Sequence, residues 1–123
     1  MEEWKKCIAI GNRRFNSDYF NAAKLSYETA KKHAQALFPY WSDPEEAISA
    51  LIISYHNLAD LHQTQGHLSA AREELECVHN IVLRALFVTP IASARHHALS
   101  RASQITYSAL IEHKRSFINN THH

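Results

Sequence analysis

Glycine and proline are scarce: the 123 residues hold two glycines and three prolines. Tight β-hairpins draw on glycine-containing turns, and both residues interrupt helices. Their scarcity excludes a turn-rich β fold and favours long helices with few breaks. Cysteine is scarce too. Cys7 and Cys77 lie far apart, each inside a helical pattern, which excludes a disulfide framework and fits a reducing compartment. An excess of charge of one sign is missing. The formal net charge is +1, so no bulk field draws the chain to nucleic acid or to a membrane surface. Long apolar runs are absent: no window approaches the roughly eighteen uninterrupted apolar residues of a membrane span. The opening "MEEWKKCIAIGNRR" is charged and helical and has no apolar signal core. A cytoplasmic protein without a membrane partner is the expectation.

What is present is ordinary for a globular chain. The apolar fraction of 46% and charged fraction of 20% allow one domain with its own core. Breakers then divide the sequence. In "SDPEE", Asp43 suits a helix cap, Pro44 the first helical position, and Glu46 the return bond of a capping box. Thr89-Pro90 repeats the cap-then-proline device. Gly66, Pro39 and Asn16-Ser17-Asp18 mark the other joints. Five helices follow, at about 2–16, 18–38, 43–65, 67–88 and 90–115. Apolar stripes at helical spacing support them: Ile48, Leu51, Ile52, Tyr55, Leu58, Ala59 and His62 in the third, Leu68, Ala71, Leu75, Val78 and Val82 in the fourth. Connections this short make neighbouring helices antiparallel.

The chain also matches itself at an offset of 48 positions without a gap. Cys7 falls on Tyr55, Ile10 on Leu58, Gly11 on Ala59, Phe20 on Leu68, Ala23 on Ala71, Tyr27 on Leu75 and Ala30 on Val78. Large meets large and small meets small. Glycine within a helix costs about 1 kcal/mol relative to alanine, so Gly11 and Ala59 make sense where another helix presses close. The repeating unit is a helix–turn–helix hairpin, written twice.

This skeleton resembles the tetratricopeptide repeat, and "YHNLADLHQTQGHLSAA" carries the likeness most fully. The longer joint between units is similar to the repeats of kinesin light chains. The offset of 48 exceeds the usual period of about 34 residues. Arg14 and His62 stand where the family prefers a large apolar residue, and Asp18 stands at the turn glycine. The resemblance implies an all-α fold in which residues 1–118 form one domain. Repeat one covers about 3–38, repeat two about 43–88, and a capping helix about 90–115, with a disordered tail at 119–123. It further implies a groove lined by first helices, a peptide or protein partner, and no catalysis. The groove positions are Lys5, Ile8, Asn12 and Phe15 in the first unit and His56, Asn57, Asp60 and Gln63 in the second. Asn12 and Asn57 match two positions that carboxylate-clamp members use for a peptide terminus. Ile8 stands where those members carry lysine, so a full clamp is not expected.

Little else in the chain offers chemistry. There is no Ser-His-Asp order, no glycine-rich phosphate loop and no CxxC. Ten histidines raise a metal reading, yet only Glu76-x-x-His79 carries the bundle-type spacing, where two such motifs are needed. No catalytic residue, metal or cofactor is expected. A small metal- or ligand-binding helical enzyme using the histidines is the alternative. The fifth helix is mildly basic, with Arg95, Arg101, Lys114 and Arg115 against Glu112. That density falls short of a nucleic-acid footprint, so a nucleic-acid-associated helical protein is the more distant alternative. The apolar residues of the fifth helix, Ile91, Ala98, Leu99, Ala102, Ile105, Ala109 and Leu110, exceed one narrow stripe. The surplus points to a homodimer.

Overall fold

Glu2 and Glu3 open the first helix and Arg13 and Arg14 close it, each pair of the sign that its end of the helix dipole favours. In the computed structural model, which describes residues 1–121, this helix, α1, spans Glu2–Asn16. Then follow α2 (Phe20–Leu37), α3 (Pro44–Thr64), α4 (Leu68–Val88) and α5 (Ala94–Thr121). The fold is all-α, with no strand among the described residues.

The start of α5 differs from expectation. Thr89 does not cap it; its hydroxyl donates back to the Ala85 carbonyl at 2.5 Å and closes α4. Ser93 is the cap instead, its Oγ accepting from the His96 N–H at 3.1 Å, so the helix begins at Ala94 and not at 90. It also runs past 115. Of the tail expected at 119–123, residues 119–121 continue the helix, and 122–123 lie outside the described residues. At α3 the Asp43 carboxylate accepts from the Glu46 N–H at 3.3 Å, as the cap requires. The Glu46 carboxylate, expected to return that bond, sits 3.9 Å from Lys5 Nζ.

The two hairpin turns are the same turn. In the second, Gly66 has φ 80, its N–H donates to Gln63 O, and the His67 N–H donates to His62 O. These are the paired bonds of a Schellman motif, which needs a left-handed residue. In the first, Asp18 takes that role with φ 65, one of the few non-glycine types that tolerates it. Its N–H donates to Phe15 O, and the Tyr19 N–H to Arg14 O. Each donor and acceptor in the first turn is 48 positions before its counterpart in the second.

Packing repeats likewise. α3 touches all four other helices, and every pair of helices in contact lies no more than two steps apart in the chain. Between α1, α2 and α3, a wedge is built from Gly11, Ala23, Tyr27, Leu58 and Leu61, all buried. Between α3, α4 and α5, Ala59, Ala71, Leu75 and Leu110 form the matching wedge. Gly11 lets α2 approach: a Cβ there would stand 2.5 Å from Tyr27 Cε1 and 2.6 Å from Cδ1. Ala59 keeps its Cβ because its partner is Leu75, without a ring. The two hairpins are then pinned by polar contacts. The Trp4 indole donates to Ser54 Oγ at 2.7 Å, joining α1 to α3. Gln35 Nε2 donates to the buried Tyr55 hydroxyl at 2.7 Å, joining α2 to α3. Lys31 lies over the Tyr55 ring and pairs with Glu74 of α4 at 3.1 Å. Arg95 reaches back from α5 to the Phe38 carbonyl at 3.1 Å.

The wedge gives a direct test. Gly11→Ala gains about 1 kcal/mol of helix propensity but must move a buried ring, an overpacking that typically costs about 1–3 kcal/mol. The variant is expected to unfold at lower urea than the parent. In a Tyr27→Leu background, which copies the Ala59–Leu75 pair, the same change is expected to be neutral or stabilising. Equal shifts of the urea midpoint in both backgrounds would show that the ring does not set the helix separation.

Candidate functional site

α3 is enclosed by neighbours on most of its circumference, and five of its exposed or half-buried residues follow one line. Ser49, Ile53, His56, Asp60 and Gln63 recur at intervals of three and four, the spacing of one helical edge. α5 forms one wall beside this edge. At the start of α3, Glu45, Ile48, Ser49 and Ile52 meet Ala98, Arg101, Ala102 and Ile105 across a recess of about 160 Å³. Arg101 and Glu45 pair across it. At the end of α3, His56, Ala59, Asp60 and Gln63 meet Leu75 of α4 and Ala109, Glu112, His113 and Ser116 of α5 around a recess of about 250 Å³. On the other flank, Phe15 of α1 joins Asp60, Gln63 and Thr64 around a more open recess of about 510 Å³. Asp60 and Gln63 belong to both, so the edge of α3 is the shared floor of a trough walled by α1 and α5.

The expected groove residues divide. Phe15, His56, Asp60 and Gln63 line these recesses. The other four do not. Lys5 pairs with Glu2 and Glu46 near the start of α1. Ile8 is half-buried and packs into two core clusters. The Asn12 Oδ1 accepts the Tyr27 hydroxyl at 2.7 Å, which engages it inside the first hairpin. Asn57 is half-buried and outside both recesses. Ala109, Glu112, His113 and Ser116 were missed, because α5 was read as a cap covering α4. The signal was there at a second offset. Moving α3 by 51 positions places Ala47 on Ala98, Ile48 on Leu99, Leu51 on Ala102, Ala59 on Leu110 and His62 on His113, and all ten are buried.

Burial sets the charge state of the floor. It pushes the His56 pKa below its ordinary value, and His56 Nε2 is enclosed without a partner. It holds the Asp60 carboxyl above the usual range. The Tyr27 hydroxyl is raised, first by burial and then by the Asp60 charge. Behind the floor, His62 is lowered mainly by burial. Tyr55 is pushed up to about 12, chiefly by burial.

The other chemistry-bearing residues are spoken for or scattered. His79 Nδ1 lies 2.7 Å from Thr106 Oγ1, and the two side chains hydrogen-bond to each other. Cys7 and Cys77 are free thiols. Among the described residues, no three His, Cys, Asp or Glu side chains are grouped closely enough to hold a metal ion, and no helix is long and apolar enough to cross a membrane. A family model covering residues 2–121 matches the chain. The chain belongs to the family described as protein of unknown function DUF2753. No curated protein and no solved structure matches it.

The two lowered histidines make stability depend on pH. In the unfolded chain they titrate near 6.5, and in the fold they bind protons less tightly. Below 6.5 the unfolded chain therefore holds more protons, and stability falls as pH falls. Asp60 acts in the opposite sense: raised from 3.8, its contribution is present below that value and lost as pH rises through the folded pKa. Urea midpoints measured one unit above and one unit below the histidine value are expected to drop on the acid side. The drop is expected to shrink when His56 and His62 are both replaced by asparagine. A double variant with an undiminished drop would remove these two residues as the cause.

Proposed function

We propose that this protein is a non-catalytic binding module that holds a peptide or protein segment along the edge of α3, between α1 and α5. The observation that carries this reading is the line Ser49–Ile53–His56–Asp60–Gln63. It is the strip of α3 that packing leaves uncovered, and it is flanked by side chains of two other helices. Its groups suit an extended chain: Gln63 offers both donors and an acceptor, Asp60 and Glu112 accept backbone or cationic donors, and Phe15 and Ile105 supply apolar contact. The likeness to tetratricopeptide repeats supports the same reading, since first helices of successive hairpins line the groove in that family. On that likeness α1, α3 and α5 correspond to the first helices.

Selection from a displayed random-peptide library tests it. Wild-type protein is expected to enrich a defined sequence class, and Asp60→Arg to weaken binding by about tenfold, roughly 1.4 kcal/mol, with an unchanged melt. Enriched peptides that bind the variant equally well would refute the trough as the site.

Homodimerisation is a second proposal, supported by the elbow between α4 and α5. Phe87, Val88 and Ile91 are 91%, 77% and 84% exposed there, beyond what scattered surface apolar residues require. Light scattering over a dilution series is expected to show a mass rising towards twice that of the chain. A constant monomer mass up to high concentration would reject it.

A further inference from the structure

α4 starts without the usual provisions of a helix N-terminus. Its N-cap is His67, which makes no side-chain cap bond, and its first turn holds no acidic residue. The N–H groups of Leu68, Ser69 and Ala70 therefore have no intrahelical acceptor, and the positive end of a 21-residue helix is left uncompensated. Beside it lies a recess of about 180 Å³, lined by Leu68, Ser69 and Arg72 of α4 and His113, Lys114 and Ile118 of α5. His113 is 6% exposed and its ring forms one wall. Neither of its nitrogens bonds to a described residue, and Nδ1 is fully enclosed without a partner.

One repeat earlier His62, which superposes on His113 at the offset of 51, is buried, and Lys24, the counterpart of Arg72 at the offset of 48, is exposed. There the fold supplies its own anions, since the carboxylates of Glu74 and Glu28 both act on His62. Around His113 the cations are Arg72 and Lys114; no acidic residue lines the recess, and the Glu76 carboxylate lies 3.8 Å from Arg72 Nε in an exposed pair. Leu68, Ile118 and the aliphatic stems of Arg72 and Lys114 complete the walls.

We propose that this recess binds a small organic anion, a carboxylate or phosphate head on a short apolar body. The head sits at the start of α4, within reach of the Leu68 and Ser69 N–H groups, the Ser69 hydroxyl, Arg72 and Lys114. The body lies against Leu68 and Ile118. Helix starts with uncompensated N–H groups take such oxyanions directly, and the apolar wall selects against the bare inorganic ion.

Amide NMR of the full chain tests this, with hexanoate, phenyl phosphate and inorganic phosphate as separate probes. Saturable shifts of the Leu68, Ser69 and Ala70 amides are expected with hexanoate or phenyl phosphate, and the tighter of the two identifies the head group. Inorganic phosphate is expected to bind about tenfold more weakly than the tighter organic probe. Arg72 and Lys114 are exposed, so the double variant Arg72→Gln, Lys114→Gln is expected to melt as wild type and to lose at least about tenfold in affinity. The proposal is overturned if neither organic anion shifts these amides saturably. It is equally overturned if the double variant binds undiminished, or if inorganic phosphate binds as tightly as the organic probes.

Discussion

A helix that is apolar on nearly every side cannot remain at a surface, and α3 is such a helix. Eleven of its residues are buried, from Ala47 to His62. Removing that much apolar surface from water requires partners on several sides at once. α1 and α2 supply one group, α4 and α5 the other. The remaining helices are amphipathic by comparison: α4 buries a single stripe of Ala71, Leu75, Val78 and Val82. The need to surround α3 thus fixes where the other elements go. It also decides which residues are free to meet a ligand, because only one edge of α3 stays uncovered.

Close approach is the means by which α3 is surrounded. Small residues sit where helices cross, Gly11 against Tyr27 and Ala71 near Ala59 and Leu75. Polar side chains then fix the arrangement where apolar packing alone would permit sliding. The Trp4–Ser54 bond and the cluster of Lys31, Gln35, Tyr55 and Glu74 each join different helices at defined atoms. Buried polar groups specify register because leaving them unpaired costs about 1–3 kcal/mol each.

The repeated hairpin was legible because its causes are local. Turn geometry and helix periodicity depend on residues within a few positions of each other, so Gly66, the Asp43 cap and the stripe of α4 could be read directly. Asp18 shows how far this goes: it looked like a departure from the repeat, yet its backbone adopts the same left-handed conformation as Gly66. α5 was legible as a helix but not as a wall of the trough. Its face is set by a different offset, 51 and not 48, because α4 has 21 residues where α2 has 18. Asn12 illustrates a second limit. Its spacing placed it on the groove side, but the Tyr27 hydroxyl of the neighbouring helix captured it, and such a pairing depends on the crossing of helices and not on either sequence alone.

Because each helix contacts only those one or two steps away in the chain, nearly all native contacts close short loops. Chains of this kind assemble rapidly, since little loop-closure entropy stands between local structure and the native state. They also come apart in stages. α1 can detach by leaving α2 and its limited contact with α3, and α5 by leaving α4 and α3, while the three central helices stay folded. Amide protons of α3 would then exchange with solvent last, and those of α1 and α5 first, as separate cooperative units. Both walls of the trough belong to the helices that open first, so the width of the trough is tied to the stability of the ends of the chain and not to that of its core.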